Sequence, residues 1–456
     1  MTRFRLAAAA LAAAILSGCS MMPAYQRPAA PVPGHWPAPA AAVGTPAAEL
    51  PWQQFFGDER LRRLIAIALR DNRDLRIAVL NIEQARAQYD IRRADRLPTV
   101  GVTAGGTRAP SGEGSRTSYS AGLGFSAWEI DFFGRVASLS EAALSQYLAS
   151  EEGRKAAQVS LVASVANTWL ALVADEELLE LTRQTLDTRE ESLRLVRLRF
   201  DNGVTSELDL RQAQSLAEGA RVSLAQLARQ RAVDLDALAL LLGQPVPEGT
   251  APTSTAALTL PDLPAGTPSE VLAQRPDVRQ AEQQLIAANA NIGAARAAFF
   301  PRISLTAGIG AASGELSGLF KGGNWGFTAA PQLLQPIFDA GRNRAGLAAA
   351  TVSRDIAIAQ YERAIQAAFR EVADALAGRA TFGEQLRAQG QVAEAEAARY
   401  RLSELRYRNG VASHLDLLDA QRSLFAARQA LVQTRLQQLQ NQVALYRALG
   451  GGWTAP

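Results

Sequence analysis

Cysteine is almost absent from this 456-residue chain: Cys19 is the only one, so no disulfide framework is possible. Histidine is nearly as scarce. His35 and His414 stand far apart and, with a single cysteine, supply no cluster of soft-metal ligands; no metal or other cofactor is expected. An excess of one charge is lacking too, with 47 basic residues against 44 acidic ones and no basic cluster, which argues against a nucleic-acid partner. No apolar run reaches the roughly 20 residues that a membrane-crossing helix needs. A nucleophile with its base and a phosphate-binding glycine loop are both missing, which makes an enzyme the weakest reading.

What the chain does have is a repeat. Asn202 to Gln214 returns as Asn409 to Gln421, with nine of thirteen positions identical at an offset of 207. Each copy stands between two long alanine- and leucine-rich helical patterns and reads as the sharp tip of a helical hairpin. Two similar halves make up the chain.

The N-terminus carries an export signal. Arg3 and Arg5 give a basic start, Leu6 to Leu16 is an apolar run of eleven, and Leu16, Ser17, Gly18 and Cys19 resemble the bacterial lipobox, in which the cysteine is lipidated and becomes the mature N-terminus. Residues 1–18 are then a lipoprotein signal peptide, and Ser20 after the cysteine points to the outer membrane. Removing Arg3 and Arg5 leaves 45 basic residues against 44 acidic ones.

Residues 19–51 are rich in proline and alanine and read as an extended tether lying on the surface. The first repeat spans 52–243. Its early helical pattern stops at Leu97-Pro98, where the period changes from 3.6 to 2. Tyr119, Ala121, Leu123, Phe125 and Ala127 alternate with serines and glycines, and strands are expected at about 99–109 and 118–128, joined by a Gly/Ser turn at 110–116. Long helices follow at about 135–201 and 206–242. After a proline-rich linker over 244–276, the second repeat at 277–450 restates the plan with strands at about 302–312 and 324–334 and helices at about 342–408 and 413–449; residues 451–456 form a tail. The stretches 136–201 and 343–408 contain no proline, and at about 1.5 Å per residue each makes a rod of roughly 100 Å.

Strands of this length can cross a bilayer when tilted, and Tyr119, Trp128 and Trp325 near their ends suit an interfacial girdle. A soluble hairpin with one buried face gives the same alternation, but the export signal and the small polar opposite face favour the membrane. Four strands cannot close a barrel, and an open edge in hydrocarbon leaves backbone groups unsatisfied. The chain must therefore oligomerise. Two copies give eight strands, a small barrel that side chains must fill, and three give twelve and a lumen; a Gly/Ser-rich inner face, too small to plug a barrel, favours the open one.

Several motifs carry a resemblance. Arg275-Pro-Asp-Val-Arg-Gln-Ala-Glu, the run from Ala294 to Phe300-Pro301, Gln335-Pro-Ile-Phe-Asp-Ala-Gly-Arg342, Trp52 to Leu64 and both tips are similar to the outer membrane factor family, in its lipoprotein branch. The resemblance implies a mainly α fold with membrane β: a homotrimer whose 12-stranded outer-membrane β-barrel continues into a 12-helix periplasmic α-barrel. It implies the exit duct of a tripartite efflux pump for drugs and other toxic compounds. Its partners would be a periplasmic adaptor, an inner-membrane transporter of the resistance-nodulation-division type and outer-membrane lipid. A duct for type I protein secretion and a non-conducting lipoprotein bridging the envelope layers are the alternatives.

At the tips, Gly203 and Gly410 are placed to end one helix and Ser206 and Ser413 to cap the next, with Asp209 and Asp416 at capping-box spacing. The copies differ where Arg211 and Gln212 give way to Leu418 and Asp419, with Arg422 three residues on. Asp416 and Asp419 share a helix face, and in a trimer they place six carboxylates around one axis, which would favour cations. The alternative is a local Asp419–Arg422 ion pair. The resemblance implies a periplasmic constriction here, with Leu415 at a hydrophobic narrowing beside Leu208 of the first tip, and Tyr407 and Asp209 tying the closed tip together. Where some relatives carry a basic latch residue, this chain has Ala412.

Overall fold

The computed structural model describes residues 20–37, 45–111, 114–250 and 254–453. Cys19 and the export segment lie outside them. A single helical turn at Trp52–Phe55 precedes α1 (Glu59–Asp71) and α2 (Arg73–Ala94). Then come β1 (Gly101–Ser111), β2 (Gly114–Glu129), α3 (Arg135–Asp201) and α4 (Glu207–Leu242). The second half has α5 (Pro268–Gln274), α6 (Pro276–Ala297), β3 (Arg302–Ser313), β4 (Trp325–Leu334), α7 (Arg342–Arg408) and α8 (His414–Ala448). Two compact units draw on both sequence repeats. One takes the described residues of Met1–Ala30 with Leu80–Glu152 and Arg279–Ala364; the other takes those of Pro31–Val79, Gly153–Val278 and Ile365–Pro456.

The first unit contains the sheet, four antiparallel strands in the order β1-β2-β3-β4. Val102 pairs with Leu123, Leu123 with Ile309 and Ile309 with Phe327, so one apolar row crosses all four strands. Each of the four is more than half exposed. The next row, on the opposite face, is Thr103, Gly122, Gly310 and Gly326. Its glycines allow β2 and β3 to approach closely, because a Cβ at Gly122 would lie 2.7 Å from the Ile309 carbonyl oxygen. The first hairpin is longer than the alternation suggested. Pro110 and Ser111 pair with Ser115 and Gly114, and Arg116 pairs with Ala109, so residues 110–116, expected as a turn, mostly belong to the strands. Pro110 fits there because β1 is an edge strand within the chain, and its missing N–H breaks no ladder on the open side.

The N-terminal segment is held on α6 in the same unit. Arg27 makes a two-pronged ion pair with Glu282 at 2.6 and 2.8 Å, Tyr25 donates to the same carboxylate at 3.0 Å, and Asn289 donates to the Pro23 carbonyl at 2.8 Å. Gly293 makes room for it: a Cβ there would meet Met22 Cα at 2.9 Å and Ser138 Oγ at 2.5 Å. Gly293→Ala should therefore lift residues 20–30 and speed their cleavage in limited proteolysis, at a packing cost of about 1–3 kcal/mol. An unchanged cleavage rate would contradict the fit.

In the second unit a large core gathers Trp52, Phe55, Phe56, Leu64, Ile65, Trp169 and Tyr446. Phe55 stacks on Tyr446 at 4.0 Å, and the Tyr446 hydroxyl donates to the Leu50 carbonyl at 2.6 Å. Three expectations change here. The tether does not stay on the surface throughout, because Trp36 is buried, stacks on Phe369 at 4.9 Å and donates to the Gly266 carbonyl. The linker at 244–276 is not merely irregular, since it forms α5 and buries Leu263, Ala265, Val271 and Leu272. Finally, one stretch of α3 is apolar and long enough to cross a membrane as a helix, and 56% of it is buried inside the structure. Leu161, Val162, Val165, Trp169 and Val173 of α3 lie in the core, so α3's apolar character reads as that of a core helix.

Further along α3, Asp175 is buried beside the Asp234 carboxyl of α4, and its Oδ2 has no hydrogen-bond partner. Burial first, then the neighbouring Asp234 carboxyl, push its carboxyl up to about 7. A folded pKa above the unfolded one means the contribution to stability is intact in acid and is lost as pH rises from about 4 through 7. Asp175→Asn should raise the melting temperature by more at pH 8 than at pH 5. Equal gains at both would contradict the raised pKa.

Candidate functional site

Both tips of the second unit are built alike. At the end of α3, Gly203 takes φ +66°, its N–H bonds to the Phe200 carbonyl and the Val204 N–H to the Arg199 carbonyl. At the end of α7, Gly410 takes φ +71°, with bonds to Tyr407 and from Val411 to Arg406. This pattern satisfies the last carbonyls of a helix and turns the chain sharply, and only glycine adopts that φ without strain. Asn202 and Asn409 each donate their side-chain N–H to a carbonyl one turn back, Leu198 and Leu405, at 2.7 Å.

The returning helices begin with two capping boxes. Ser206 Oγ accepts from the Asp209 N–H at 3.2 Å, while Asp209 Oδ2 accepts from the Ser206 N–H, the Ser206 hydroxyl and the Thr205 hydroxyl. Those bonds, the Ser206 hydroxyl foremost, hold the Asp209 carboxyl below its usual range. Ser413 and Asp416 repeat the box at 3.1 and 3.2 Å, with the Ser413 hydroxyl donating to Asp416 at 2.8 Å. One oxygen of each aspartate is thus committed to its own turn.

Asp419 is different. It stands beyond the cap, as its position implied, and takes the paired alternative, accepting from Arg422 at 2.5 Å and from Arg399 of α7. Arg399 first, and Arg422 after it, hold its carboxyl below the ordinary range. Arg399 also pairs with Glu396 at 3.1 Å. The carboxylate that was expected to face the axis free is shared between two guanidiniums in the chain.

Tyr407 and Asp209 do not bond to each other. The Tyr407 hydroxyl instead accepts from Arg199 Nη1 at 2.5 Å, and the Arg199 guanidinium lies 5.7 Å from the ring centroid, so one arginine ties the end of α3 to the end of α7. On its other side Tyr407 meets His414, ring centroids 5.3 Å apart. His414 replaces Glu207 of the first repeat, is 8% exposed, and has no hydrogen-bond partner at either ring nitrogen. Burial lowers its pKa, the Asp209 charge opposes this, and Arg199 reinforces it. Leu208 and Leu415, in the first turns of α4 and α8, both project with 66% and 57% exposure.

A histidine whose folded pKa is depressed favours this packing above about pH 6.5, and the favour is lost as pH falls through the lower folded value. Acidification from pH 7.5 to 5 should therefore loosen the tip, seen as faster amide exchange over residues 407–414, and His414→Gln should remove the pH dependence. Equal exchange at both pH values would contradict it.

Arg199 and Arg399 were not singled out by sequence reasoning, although signals existed. Arg399 and Asp419 stand ten residues before and after Asn409, mirror positions of an antiparallel hairpin. Arg199 lies one residue from the repeat equivalent of Tyr407. Among the described residues no group of His, Cys, Asp and Glu is arranged to hold a metal.

Comparison with known proteins gives the same direction throughout. A family model described as outer membrane efflux protein matches residues 64–244 and 267–451. The antibiotic efflux pump outer membrane protein ArpC and the toluene efflux pump outer membrane protein TtgC, both of Pseudomonas putida, are each 50% identical over 458 residues, covering 97% of this chain and 95% of theirs. The open state of the MtrE outer membrane channel of Neisseria gonorrhoeae superposes with a TM-score of 0.88 at 42% identity, covering 95% of this chain and 99% of that one. With the model matched across most of both repeats and relatives at half identity over nearly full length, the chain belongs to the outer membrane efflux protein family.

Proposed function

We propose that this chain is the outer-membrane exit duct of a tripartite efflux pump, a passive pore with a closable tip. The observation that carries the reading is the exposed row Val102, Leu123, Ile309 and Phe327 on a sheet that has an open edge on either side within the chain. Such a sheet is stable in hydrocarbon only when its edges are paired, and each unsatisfied backbone group would cost several kcal/mol. A homotrimer closes it: three four-stranded sheets make twelve strands, and the opposite face of glycine, serine and threonine leaves a lumen.

The helices α3, α4, α7 and α8 of three copies then form the 12-helix periplasmic barrel, which ends in the two kinds of tip. Cys19 anchors each chain by lipid in the outer leaflet's partner layer, and residues 19–51 lead from it. The periplasmic adaptor and an inner-membrane transporter of the resistance-nodulation-division type deliver the cargo, drugs and apolar toxins such as those in the names of ArpC and TtgC. In this duct Arg199, Tyr407 and His414 hold the tip, Leu208 and Leu415 narrow it, and the capping boxes keep its turns sharp. Asp416, Asp419 and Arg422 set the charge that a permeating ion meets.

Deleting the gene and measuring susceptibility to a panel of antibiotics and toluene tests the reading. The expected result is a severalfold rise in sensitivity that the wild-type gene reverses. Unchanged susceptibility, with loss of an exported protein from the medium, would move the duct to protein secretion.

A further inference from the structure

Arg189, in α3, lies well back from the tip, at about 1.5 Å per residue roughly 20 Å before the turn. It is 6% exposed, as buried as Arg275. The two are treated differently by the fold. Arg275 is enclosed by carboxylates, with bonds to Asp277 at 2.7 and 3.0 Å and to Glu371 at 2.8 Å. Among the described residues no carboxylate pairs with Arg189. Its Nη1 donates to the Leu216 carbonyl at 3.0 Å, its guanidinium lies over the Phe425 ring at 5.1 Å, and its Nε has no partner. Burial alone pulls its pKa down. A buried guanidinium without a counter-charge is costly, and an anion placed beside it would offset that cost.

The side chain lines a cavity of about 160 Å³ in the second unit. That is the size at which an apolar cavity accepts a benzene ring. Leu181, Leu424 and Phe425 give it an apolar wall; Gln184, Tyr400, Gln421 and the exposed Arg428 join the buried Arg189 as polar lining. The hydroxyls of Thr185 and Thr188 also line this region but donate to their own helix at Leu181 and Gln184, so they leave Arg189 as the buried strong donor. Gln421, 9% exposed, holds the second unpartnered atom, its Oε1. A half-turn of that amide exchanges the oxygen for NH₂ and adds a donor.

We propose that this cavity is a binding site for a small aromatic carboxylate, the carboxylate on Arg189 and the ring against Phe425 and Leu424. Neither the volume nor the apolar wall suits a bare inorganic anion, and the guanidinium gives a neutral ring of the same shape no advantage. The duct function assigns nothing to these residues, and the inference stands or falls without it.

The test uses the purified full-length protein in detergent micelles, with benzoate and benzyl alcohol as probes, read by saturation-transfer NMR and calorimetry. Benzoate should bind saturably and about tenfold or more tighter than benzyl alcohol, as a charge-assisted pair requires. Arg189→Gln should abolish that difference, and Phe425→Leu should weaken benzoate while keeping its advantage over the alcohol. Should Arg189→Gln fail to fold, the comparison of the two probes on the wild-type protein still decides. Equal binding of the two, no saturable binding of benzoate, or its full displacement by an equal concentration of chloride would overturn the site.

Discussion

Arg199→Ala combined with Tyr407→Phe should raise the single-channel conductance of the purified protein in planar bilayers and lengthen its open periods. The contact they remove joins the ends of α3 and α7, and Arg199 is the only charged partner that the Tyr407 hydroxyl has among the described residues. An exposed charge-assisted hydrogen bond is worth about 1 kcal/mol after solvent screening. In the proposed trimer three of them act on one opening, so the balance of closed and open tips shifts by about 3 kcal/mol, on the order of a hundredfold. Asp209→Ala should do less by itself, because that carboxylate is engaged with Ser206 and Thr205 in its own turn. If the double variant conducts as the wild type does and Asp209→Ala opens the pore, the tie runs through Asp209 after all.

Asp419→Ala should have the largest effect on ion selectivity. Asp419 is shared by Arg399 and Arg422, so removing it leaves two guanidiniums per chain without that carboxylate. Around a narrow opening this repels cations, and the reversal potential in a KCl gradient should move strongly toward chloride. Asp416→Ala should move it less and weaken the turn more, since it removes the half of the capping box that accepts from the Ser413 N–H. Equal shifts from the two variants would restore the picture of a simple acidic ring. Unchanged selectivity in both would remove these residues from the permeation path. Measuring at low salt matters, because at about 0.1 M the screening length is only ~10 Å.

These two predictions also mark where the sequence could be read and where it could not. The turns were legible because they are local: a glycine, a serine and an aspartate at fixed spacing specify left-handed φ and a capping box, and both copies form them. The alternation from 118 to 125 was legible for the same reason, but not its break at Ser126 and Ala127, where the register to β3 shifts and Ala127 takes φ +52°. The register that lines Val102 up with Leu123, Ile309 and Phe327 joins strands from both halves and was not.

Contacts between separate helices were hidden to differing degrees. Asp419 with Arg422 follows from helical spacing, Asp419 with Arg399 only from folding the hairpin about Asn409, and Arg199 with Tyr407 needs the packing of one hairpin on another, at which the repeat offset only hints. Trp36 escaped because a proline- and alanine-rich segment is read by its average, whereas a single indole with a carbonyl partner at 2.9 Å is enough to join a core. Arg189 escaped because nothing in a sequence tells a buried arginine with carboxylates from one without.

In the proposed duct, conduction is limited by a tip that the chain's own side chains hold. Single-channel recording of the purified wild-type protein in a planar bilayer tests it most directly. Discrete, long-lived conductance steps are expected, small with the wild-type tip and severalfold larger in the Arg199→Ala, Tyr407→Phe variant. A protein that inserts into the bilayer as a trimer and passes no current with either tip would contradict it.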